Sequence, residues 1–399
     1  MQKVVIVSAR RSPIGSFGGV FKDISAVELG THVLKSIIQE TGVKPSEIDE
    51  VIIGNVIGAG LGQNVARQIA INAGLPVDIP SFVVNKVCGS GMKSISLAAL
   101  MIESGRANIV VAGGVENMSQ IPYILPDLRW GAKMGDRKAV DLMIHDGLTD
   151  IFNKYHMGIT AENLVEKYSL TREAMDEFAV TSQNRAEKAL QEGRFTEEIV
   201  PISIPQRRGE PVIVSEDEYP RKGATIDSVA KLKPAFKPDG KVTAANSSGI
   251  NDGAAILLMM SEEKARELNL TPLAYYIDYA SAGVNPSIMG IGPVPAIKKV
   301  LTNNIWSLSD IELAELNEAF AGQSLAVLKG LEHENIGSLN QEIVNVNGGA
   351  IALGHPIGAS GARIVVTLLH EMKKRDVNKG LASLCIGGGM GIATLYERK

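Results

Sequence analysis

The residue best placed for chemistry in this chain is a cysteine that follows a short apolar run. Residues 82–84 are apolar, residues 85–93 read NKVCGSGMK, and residues 95–102 are apolar and alanine-rich. This order predicts a strand, a sharp turn and a buried helix, with Cys88 where the helix begins. Unpaired N–H groups and the helix dipole at that point favour a thiolate, the nucleophilic form of cysteine. The alternative is a structural cysteine in a tight turn.

The second half of the chain carries three further polar positions close to glycines. Asn317 directly follows a predicted strand, and its side chain would donate a hydrogen bond, hold a water or cap the next helix. His355 stands between a glycine and a proline in the glycine-rich residues 347–361, a rigid setting that favours a catalytic histidine. Cys385 ends an apolar run before three glycines, whose N–H groups are able to face an oxyanion. Like Cys88, it has a structural thiol as its alternative.

The sequence lacks the residue spacings that other common types of binding or catalytic site require. Residues 58–63 read GAGLGQ and lack the last glycine of a dinucleotide-binding fingerprint, and no glycine loop ends in the Gly-Lys-Ser/Thr of a phosphate-binding loop. Cysteine and histidine do not cluster at the spacing of metal ligands. The nucleophile motif G-x-S-x-G of serine hydrolases is missing as well. The sequence therefore predicts neither a metal site nor a nucleotide cofactor.

Composition restricts the class of protein further. The chain has 399 residues, of which 45% are hydrophobic and 21% charged, and its net charge is −4. That length predicts two or more core units, and that charge argues against nucleic acid or an anionic membrane as a partner. The two cysteines are far apart, and every apolar run is shorter than the roughly 18 residues of a membrane span. We expect a soluble protein of the reducing cytoplasm, without a signal peptide.

Alternating strand and helix patterns predict an α/β protein made of two similar halves. Strands are expected at residues 3–8, 51–54, 82–84, 109–114 and 254–260. Helices between them imply parallel pairing. Residues 307–316 repeat the pattern of residues 45–53, which indicates an internal duplication. Residues 120–242 break the rhythm, apart from one exposed helix at residues 173–192, and are interpreted as a long insertion in the first half.

Four separated blocks together resemble the signatures of the thiolase family. They are the Cys88 turn and residues 317–321, 347–361 and 385–391, and the similarity is collinear from residue 8 to the end of the chain. The resemblance implies an α/β fold of two duplicated halves packed together in layers α-β-α-β-α, with an inserted loop domain. The implied domains are a first core half of residues 1–119 and 243–270, a loop domain of residues 120–242 that covers coenzyme A, and a second core half of residues 271–399.

The resemblance also implies a role for each catalytic position. Cys88 would take the acetyl group from a first acetyl-CoA, and His355 would activate that thiol and later polarise the bound thioester oxygen. Cys385 would remove a proton from the α-carbon of a second acetyl-CoA. Asn317 would fix a water that completes one oxyanion hole with His355, and the N–H groups of Cys88 and Gly387 would form the other.

Further positions match the contacts that this family makes with its thioester. Those near the acyl group and pantetheine are His156, Met157, Phe236, Ala244, Ser248, Met289 and Phe320, and those near the adenine nucleotide are Arg221 and Ser228. Methionines such as Met157 and Met289 are usually core filling, so only the motif match assigns them a binding role.

The implied activity is that of the short-chain, biosynthetic thiolases, which condense two acetyl-CoA to acetoacetyl-CoA and CoA and catalyse the reverse thiolysis. A degradative thiolase for longer 3-ketoacyl chains is the alternative, and a silent acyl-CoA binding protein is a weaker one. A ketoacyl synthase is disfavoured because Cys385 stands where that group has a histidine. Coenzyme A thioesters are substrates here, so no cofactor is expected. The family implies a homotetramer, and oxidation would be expected to join Cys88 to Cys385.

Overall fold

The computed structural model describes residues 2–399, and within them the chain forms sixteen strands and eleven α-helices. The strands are β1 (Val4–Arg11), β2 (Gly15–Ser16), β3 (Glu50–Gly54), β4 (Ser81–Val84), β5 (Ile109–Asn117), β6 (Tyr123–Ile124), β7 (Val140–Asp141), β8 (Thr149–Asp150), β9 (Tyr155–His156), β10 (Ile202–Ile204), β11 (Val212–Val214), β12 (Asn251–Ser261), β13 (Ala274–Gly283), β14 (Leu313–Leu316), β15 (Lys379–Ile386) and β16 (Met390–Glu397). The helices are α1 (Ala26–Thr41), α2 (Val65–Asn72), α3 (Ser90–Glu103), α4 (Met157–Lys167), α5 (Arg172–Gln191), α6 (Ile226–Ala230), α7 (Glu262–Glu267), α8 (Pro293–Asn304), α9 (Ala321–His333), α10 (Ala350–Leu353) and α11 (Ile357–Arg375). All of the predicted strands are present.

Ten strands form one mixed sheet in the order β14-β15-β16-β13-β1-β12-β5-β3-β4, with β2 beside β12. Parallel pairing joins β3 to β4, β3 to β5 and β14 to β15, as predicted. The prediction was wrong for β1 and β12, which pair antiparallel, and β13 and β16 also have antiparallel partners. The reason is local for β16, because the short turn from β15 allows only an antiparallel neighbour.

The internal duplication is visible in the order of the strands. In the first half β3, β5, β12 and β1 lie side by side, and in the second half β14, β15, β16 and β13 repeat that order. A 3₁₀ turn precedes the equivalent strands β3 and β14, at Pro45–Glu47 and Leu308–Asp310. The two halves meet where β1 pairs with β13 over three residues. The prediction of two similar α/β halves is therefore confirmed.

Helices lie in three layers around the two halves of the sheet. α3 and α11 pack against each other in the middle, with α3 on β5 and β3 and α11 on β12, β5, β15 and β14. α1 and α2 cover the other face of the first half. α8 covers β13 and β16 of the second half, and α9 packs nearby with α4. This arrangement confirms the expected layers α-β-α-β-α.

Glycines let the two central helices approach at their first turns. A Cβ on Gly91 would lie 2.8 Å from the backbone nitrogen of Ala362, and one on Gly361 would lie 2.6 Å from that of Met92. Side chains at these positions would therefore push the helices apart. Because α3 and α11 cross at their N-terminal ends, the residues just before each helix are brought together.

The segment between β5 and β12 consists of three small hairpins and the helices α4, α5 and α6. The helix predicted at residues 173–192 is α5, but it is not fully exposed, since it buries Met175, Ala179 and Ala186. It packs on α9 and α10, and a Cβ on Gly348 would touch its Ala186 side chain. The division into domains at residues 120, 243 and 271 stays a prediction.

Among residues 2–399, no helix is both long enough and apolar enough to cross a membrane.

Candidate active site

Cys88 lies in a strained turn between β4 and α3. The preceding residue, Val87, has a φ of 46°, a left-handed conformation that is costly for a β-branched residue. The turn is held by Ser90, whose hydroxyl donates to the carbonyl of Val87 at 2.6 Å and accepts from the N–H of Lys86 at 2.9 Å. A Cβ on Gly89 would collide with Ile386 of the second half. The turn thus presents the thiol towards the end of β15.

His355 occupies the matching place before α11. Its N–H donates to Asn251 Oδ1 at 3.0 Å, and its Nδ1 lies 2.6 Å from Ser360 Oγ. Gly354 before it has a φ of 106°, and a Cβ there would collide with Asn251. Because the backbone and Nδ1 are both held, Nε2 is the ring nitrogen left for other partners.

Cys385 is buried near the end of β15, and Gly387 begins the glycine turn to β16. Gly388 and Gly389 in this turn have φ values of 84° and 83°, which side chains rarely adopt. The turn brings the backbone N–H of Gly387 near the sulfur of Cys88, where it acts to lower the pKa of that thiol. Two segments that are 299 residues apart in the sequence therefore meet near one sulfur.

A cavity of about 320 Å³ collects most of the predicted site residues on its wall. It is bordered by Cys88, His156, Met157, Arg221, Phe236, Ala244, Ser248, Met289, Phe320, His355, Cys385 and Gly387. The three side chains with catalytic potential therefore share one space. Their individual roles stay predictions.

Two predicted residues lie beside this cavity and not on its wall. Ser228 borders a neighbouring cleft of about 310 Å³, which shares Tyr219, Arg221 and Ala244 with the cavity. Asn317 is buried behind the wall, where its N–H donates to the carbonyl of Ser383 at 3.0 Å. Neither polar atom of its side chain has a hydrogen-bond partner among residues 2–399. A buried amide left in this way is suited to hold a water.

Burial affects the protonation of both thiols. Burial raises the pKa of Cys88 to about 11, although the N–H groups of Gly387 and of Cys88 itself act in the opposite direction. Burial also raises the pKa of Cys385 well above its usual value, and the proximity of Cys88 adds to this. Burial therefore opposes the thiolate expected at the start of α3. Desolvation of the charged form acts against the effect of the helix dipole.

The imidazole is neutral as well. Burial, together with the nearby Arg363 guanidinium, lowers the pKa of His355 to about 4. At neutral pH the cavity thus holds the thiol of Cys88 and the uncharged imidazole of His355. The imidazole is available as a base, and no thiolate–imidazolium pair is formed beforehand.

This pKa predicts how stability depends on pH. The unfolded chain takes up a proton on this histidine near pH 6.5, whereas the folded protein does so only near 4. The neutral imidazole contributes to the free energy of unfolding above pH 6.5. This contribution, about 3 kcal/mol in total, is lost as the pH falls from 6.5 to 4. Urea unfolding should therefore show that the free energy of unfolding of the wild type falls more steeply on acidification than that of His355→Asn. His32→Asn, on the exposed face of α1, is the control. A constant difference would contradict the assignment.

The protein-family model of the thiolase N-terminal domain matches residues 4–263 of this chain, and the family model of the thiolase C-terminal domain matches residues 270–398. The chain belongs to the thiolase family. This confirms the resemblance inferred from the four sequence blocks.

Relatives align with this thiolase over its whole length. It is 59% identical over 399 residues to the acetyl-CoA acetyltransferase of Cupriavidus necator, and 58% identical over 398 residues to a probable acetyl-CoA acyltransferase of Staphylococcus aureus; each alignment covers all of both chains. The crystal structure of the Bacillus anthracis acetyl-CoA acetyltransferase superimposes with a TM-score of 0.96 at 50% identity, covering 100% of this chain and 99% of that one. The acetyl-CoA acetyltransferase from Syntrophomonas wolfei gives 0.98 at 43% identity, with complete coverage of both.

Sequence reasoning missed several parts of the thiolase cavity. Met118, Leu148, Tyr219 and Ile250 line its wall, yet none stands in a motif or beside a glycine cluster that would have marked it. Ile357 also lines it and lies inside the glycine-rich residues 347–361, a signal that could have identified it.

The disulfide between Cys88 and Cys385 stays a prediction. Both thiols are free and border the same cavity. Treatment with a thiol oxidant should remove two electrons and two protons from the pair, stop turnover and yield a crosslinked peptide that a dithiol reductant reverses. Full activity after oxidation, with no such peptide in the digest, would contradict it.

Proposed function

We propose that this thiolase is an acetyl-CoA C-acetyltransferase, which condenses two acetyl-CoA to acetoacetyl-CoA and CoA and catalyses the reverse reaction. The observation that carries the proposal is the shared cavity of Cys88, His355 and Cys385. One nucleophile and two groups able to move protons are what a ping-pong condensation through a covalent intermediate requires.

In the first half-reaction, the sulfur of Cys88 attacks the thioester carbon while its proton passes to Nε2 of His355. The carbon–sulfur bond to CoA then breaks, and the leaving sulfur takes the proton of Cys385. The acetyl-enzyme that results has a protonated His355 and a thiolate at Cys385. Each charge is then placed for the next step, and the pair offsets the cost of burial that either charge would have alone.

In the second half-reaction, the Cys385 thiolate removes a proton from the methyl group of a second acetyl-CoA. The enolate carbon attacks the acetyl carbon on Cys88, and the new carbon–carbon bond expels the Cys88 sulfur. That sulfur recovers its proton from Nε2 of His355. All three side chains thereby return to their starting protonation states, so the cycle consumes no external acid or base.

Two oxyanion positions follow from the backbone and from Asn317. The N–H groups of Cys88 and Gly387, which both act on the Cys88 thiol, would stabilise the oxygen of the acetyl-enzyme intermediate. A water held by the unpartnered amide of Asn317, together with protonated Nε2 of His355, would stabilise the enolate oxygen.

The neighbouring cleft supports a long thioester as substrate. The cavity and the cleft share Tyr219, Arg221 and Ala244, so a pantetheine arm would pass between them and leave the nucleotide near Ser228. Phe236 forms a rigid aromatic wall along this route. Its ring stacks on His156 at 4.6 Å and meets Phe320 edge-on at 6.0 Å.

Chain-length preference distinguishes this activity from degradative thiolysis. Met289 and Phe320 are buried and border the acyl side of the cavity, which favours a short acyl group. We expect Met289→Ala to raise the relative kcat/KM for 3-ketohexanoyl-CoA over acetoacetyl-CoA by about tenfold, because it frees space for added methylenes. Met289→Leu, which keeps the volume, is the matched control. A wild type that already prefers the longer substrate would favour the degradative alternative.

The direct test is to incubate the purified protein with acetyl-CoA alone. Formation of acetoacetyl-CoA and free CoA, with an acetyl group on the Cys88 peptide in a rapidly quenched digest, is the expected result. Binding of acetyl-CoA without either product would instead identify a silent binding protein.

We further propose a homotetramer that works in the reducing cytoplasm. The segment from β6 to β7 exposes apolar side chains, with Trp130 and Met134 each 90% exposed and Tyr123 66%. Such a patch is typical of an assembly surface. Two thiols that must both stay reduced suit a reducing compartment. Analytical ultracentrifugation tests the assembly, and a monomer at micromolar concentration would contradict it.

A further inference from the structure

The hydroxyl of Ser360 is the nearest polar group to the catalytic imidazole. Ser360 lies in the first turn of α11 and is 1% exposed. Its Oγ is 2.6 Å from Nδ1 of His355 and 2.9 Å from the carbonyl oxygen of Pro356. Both distances are those of hydrogen bonds, and a hydroxyl has a single proton to share between them.

The Pro356 contact decides where that proton lies. A carbonyl oxygen is only an acceptor, so the hydroxyl must donate to it. If the proton pointed to Nδ1 instead, two oxygens with lone pairs would face each other at 2.9 Å. With the proton directed to Pro356, Ser360 Oγ accepts from Nδ1–H. The neutral imidazole then has its proton on Nδ1 and a lone pair on Nε2.

We propose that Ser360 is a positioning residue that keeps a proton on Nδ1 of His355 throughout the reaction, so that Nε2 alone exchanges protons with Cys88. This inference rests on the proposed function, since it concerns the same histidine. In the acetyl-enzyme, Ser360 Oγ continues to accept from Nδ1–H while Nε2 carries the proton of Cys88. That acceptor stabilises the imidazolium that burial and Arg363 oppose.

Other contacts fix the position of the ring but not its tautomer. Asn251 holds only the backbone N–H of His355, and its Nδ2 donates to the carbonyl of Gly15 at 3.0 Å. The bend between Gly354 and Pro356 fixes the chain direction. Ser360 is the side chain that the structure places on Nδ1, so loss of its hydroxyl should release the tautomer without moving the backbone.

Nitrogen NMR of protein labelled in its histidine rings tests the proposal on the wild type. The expected spectrum at neutral pH shows a directly bonded proton on Nδ1 of His355 and none on Nε2. Assignment of the signal uses His355→Asn. A wild-type spectrum with the proton on Nε2 would overturn the proposal. This readout does not depend on turnover, so it separates failure of the proposal from failure of the proposed function.

Variants test the consequence for catalysis. Ser360→Ala should lower kcat for acetoacetyl-CoA thiolysis by about 10²-fold, change KM by less than about threefold, and give signals of both tautomers. Ser360→Thr, which restores the hydroxyl, should recover most of kcat and the Nδ1 proton. Ser96→Ala is the matched control, because this buried serine of α3 also donates to a carbonyl four residues earlier, that of Met92 at 3.0 Å. Activity of Ser360→Ala within about twofold of wild type would overturn the proposal.

Discussion

Cys88→Ser is expected to reduce turnover on the order of 10⁴-fold or more while leaving the affinity for CoA within about threefold. The shape of the turn does not change, because Ser90 and the backbone hold it. The nucleophile does change. Burial already raises the pKa of the thiol to about 11, and a hydroxyl in the same place is far harder to deprotonate by an imidazole whose pKa is about 4. The acetyl-enzyme should therefore not form.

Three measurements separate loss of chemistry from loss of binding. The first is the steady-state rate of acetoacetyl-CoA thiolysis, the second is calorimetric titration with CoA, and the third is mass analysis of the active-site peptide after exposure to acetyl-CoA. Ser96→Ala again controls for the replacement of a small buried side chain on α3. Turnover of Cys88→Ser within tenfold of the wild type, or an acetyl group found on another peptide, would show that a different residue is the nucleophile.

The local parts of the site could be predicted from the sequence because short stretches of consecutive residues determine them. The apolar run, the glycine turn and the alanine-rich stretch around Cys88 are a strand, a turn and a helix. The glycine-rich residues 347–361 place His355 before α11 in the same way. The close approach of α3 and α11 depends on Gly91 and Gly361, which occur in those same stretches.

Properties that depend on the whole fold were not predictable in this way. The helix dipole at Cys88 is a local feature, but the burial that raises its pKa depends on tertiary packing, in which Ile57, Met118 and Ile357 take part. The position of Asn317 behind the cavity wall is another such property, because the face on which a side chain emerges after a strand depends on tertiary packing. The antiparallel course of β12 is likewise decided by the long segment that precedes it.

The role of Ser360 was also not predictable from the sequence. Ser360 lies within the glycine-rich residues 347–361, five residues after the histidine, and no helical contact rule relates this spacing to an imidazole outside the helix. Its role becomes visible only when the bend at Pro356 folds His355 back over the first turn of α11. A residue that acts through another side chain leaves no signal of its own in the sequence.

Cys385→Ala is expected to stop carbon–carbon bond formation by about 10³-fold and yet to allow the acetyl-enzyme to form. The reason is that the two half-reactions need this thiol unequally. A CoA thiolate is a good leaving group without a proton, so transfer of acetyl to Cys88 should slow by less than about tenfold. Removal of a proton from the methyl group of acetyl-CoA has no such substitute, since His355 has its Nε2 proton directed at the oxygen in that step.

Two experiments distinguish these half-reactions. In deuterated water, the wild type should exchange the methyl hydrogens of acetyl-CoA through the enolate, and Cys385→Ala should not. Rapid quenching should still find the acetyl group on the Cys88 peptide of the variant. Cys385→Ser is the matched variant of similar size, and it too should fail to exchange, because the pKa of a hydroxyl lies far above that of a thiol. Exchange at the wild-type rate in either variant would mean that another group is the base, and the arrangement at the end of β15 would then serve only to shape the oxyanion site at Gly387.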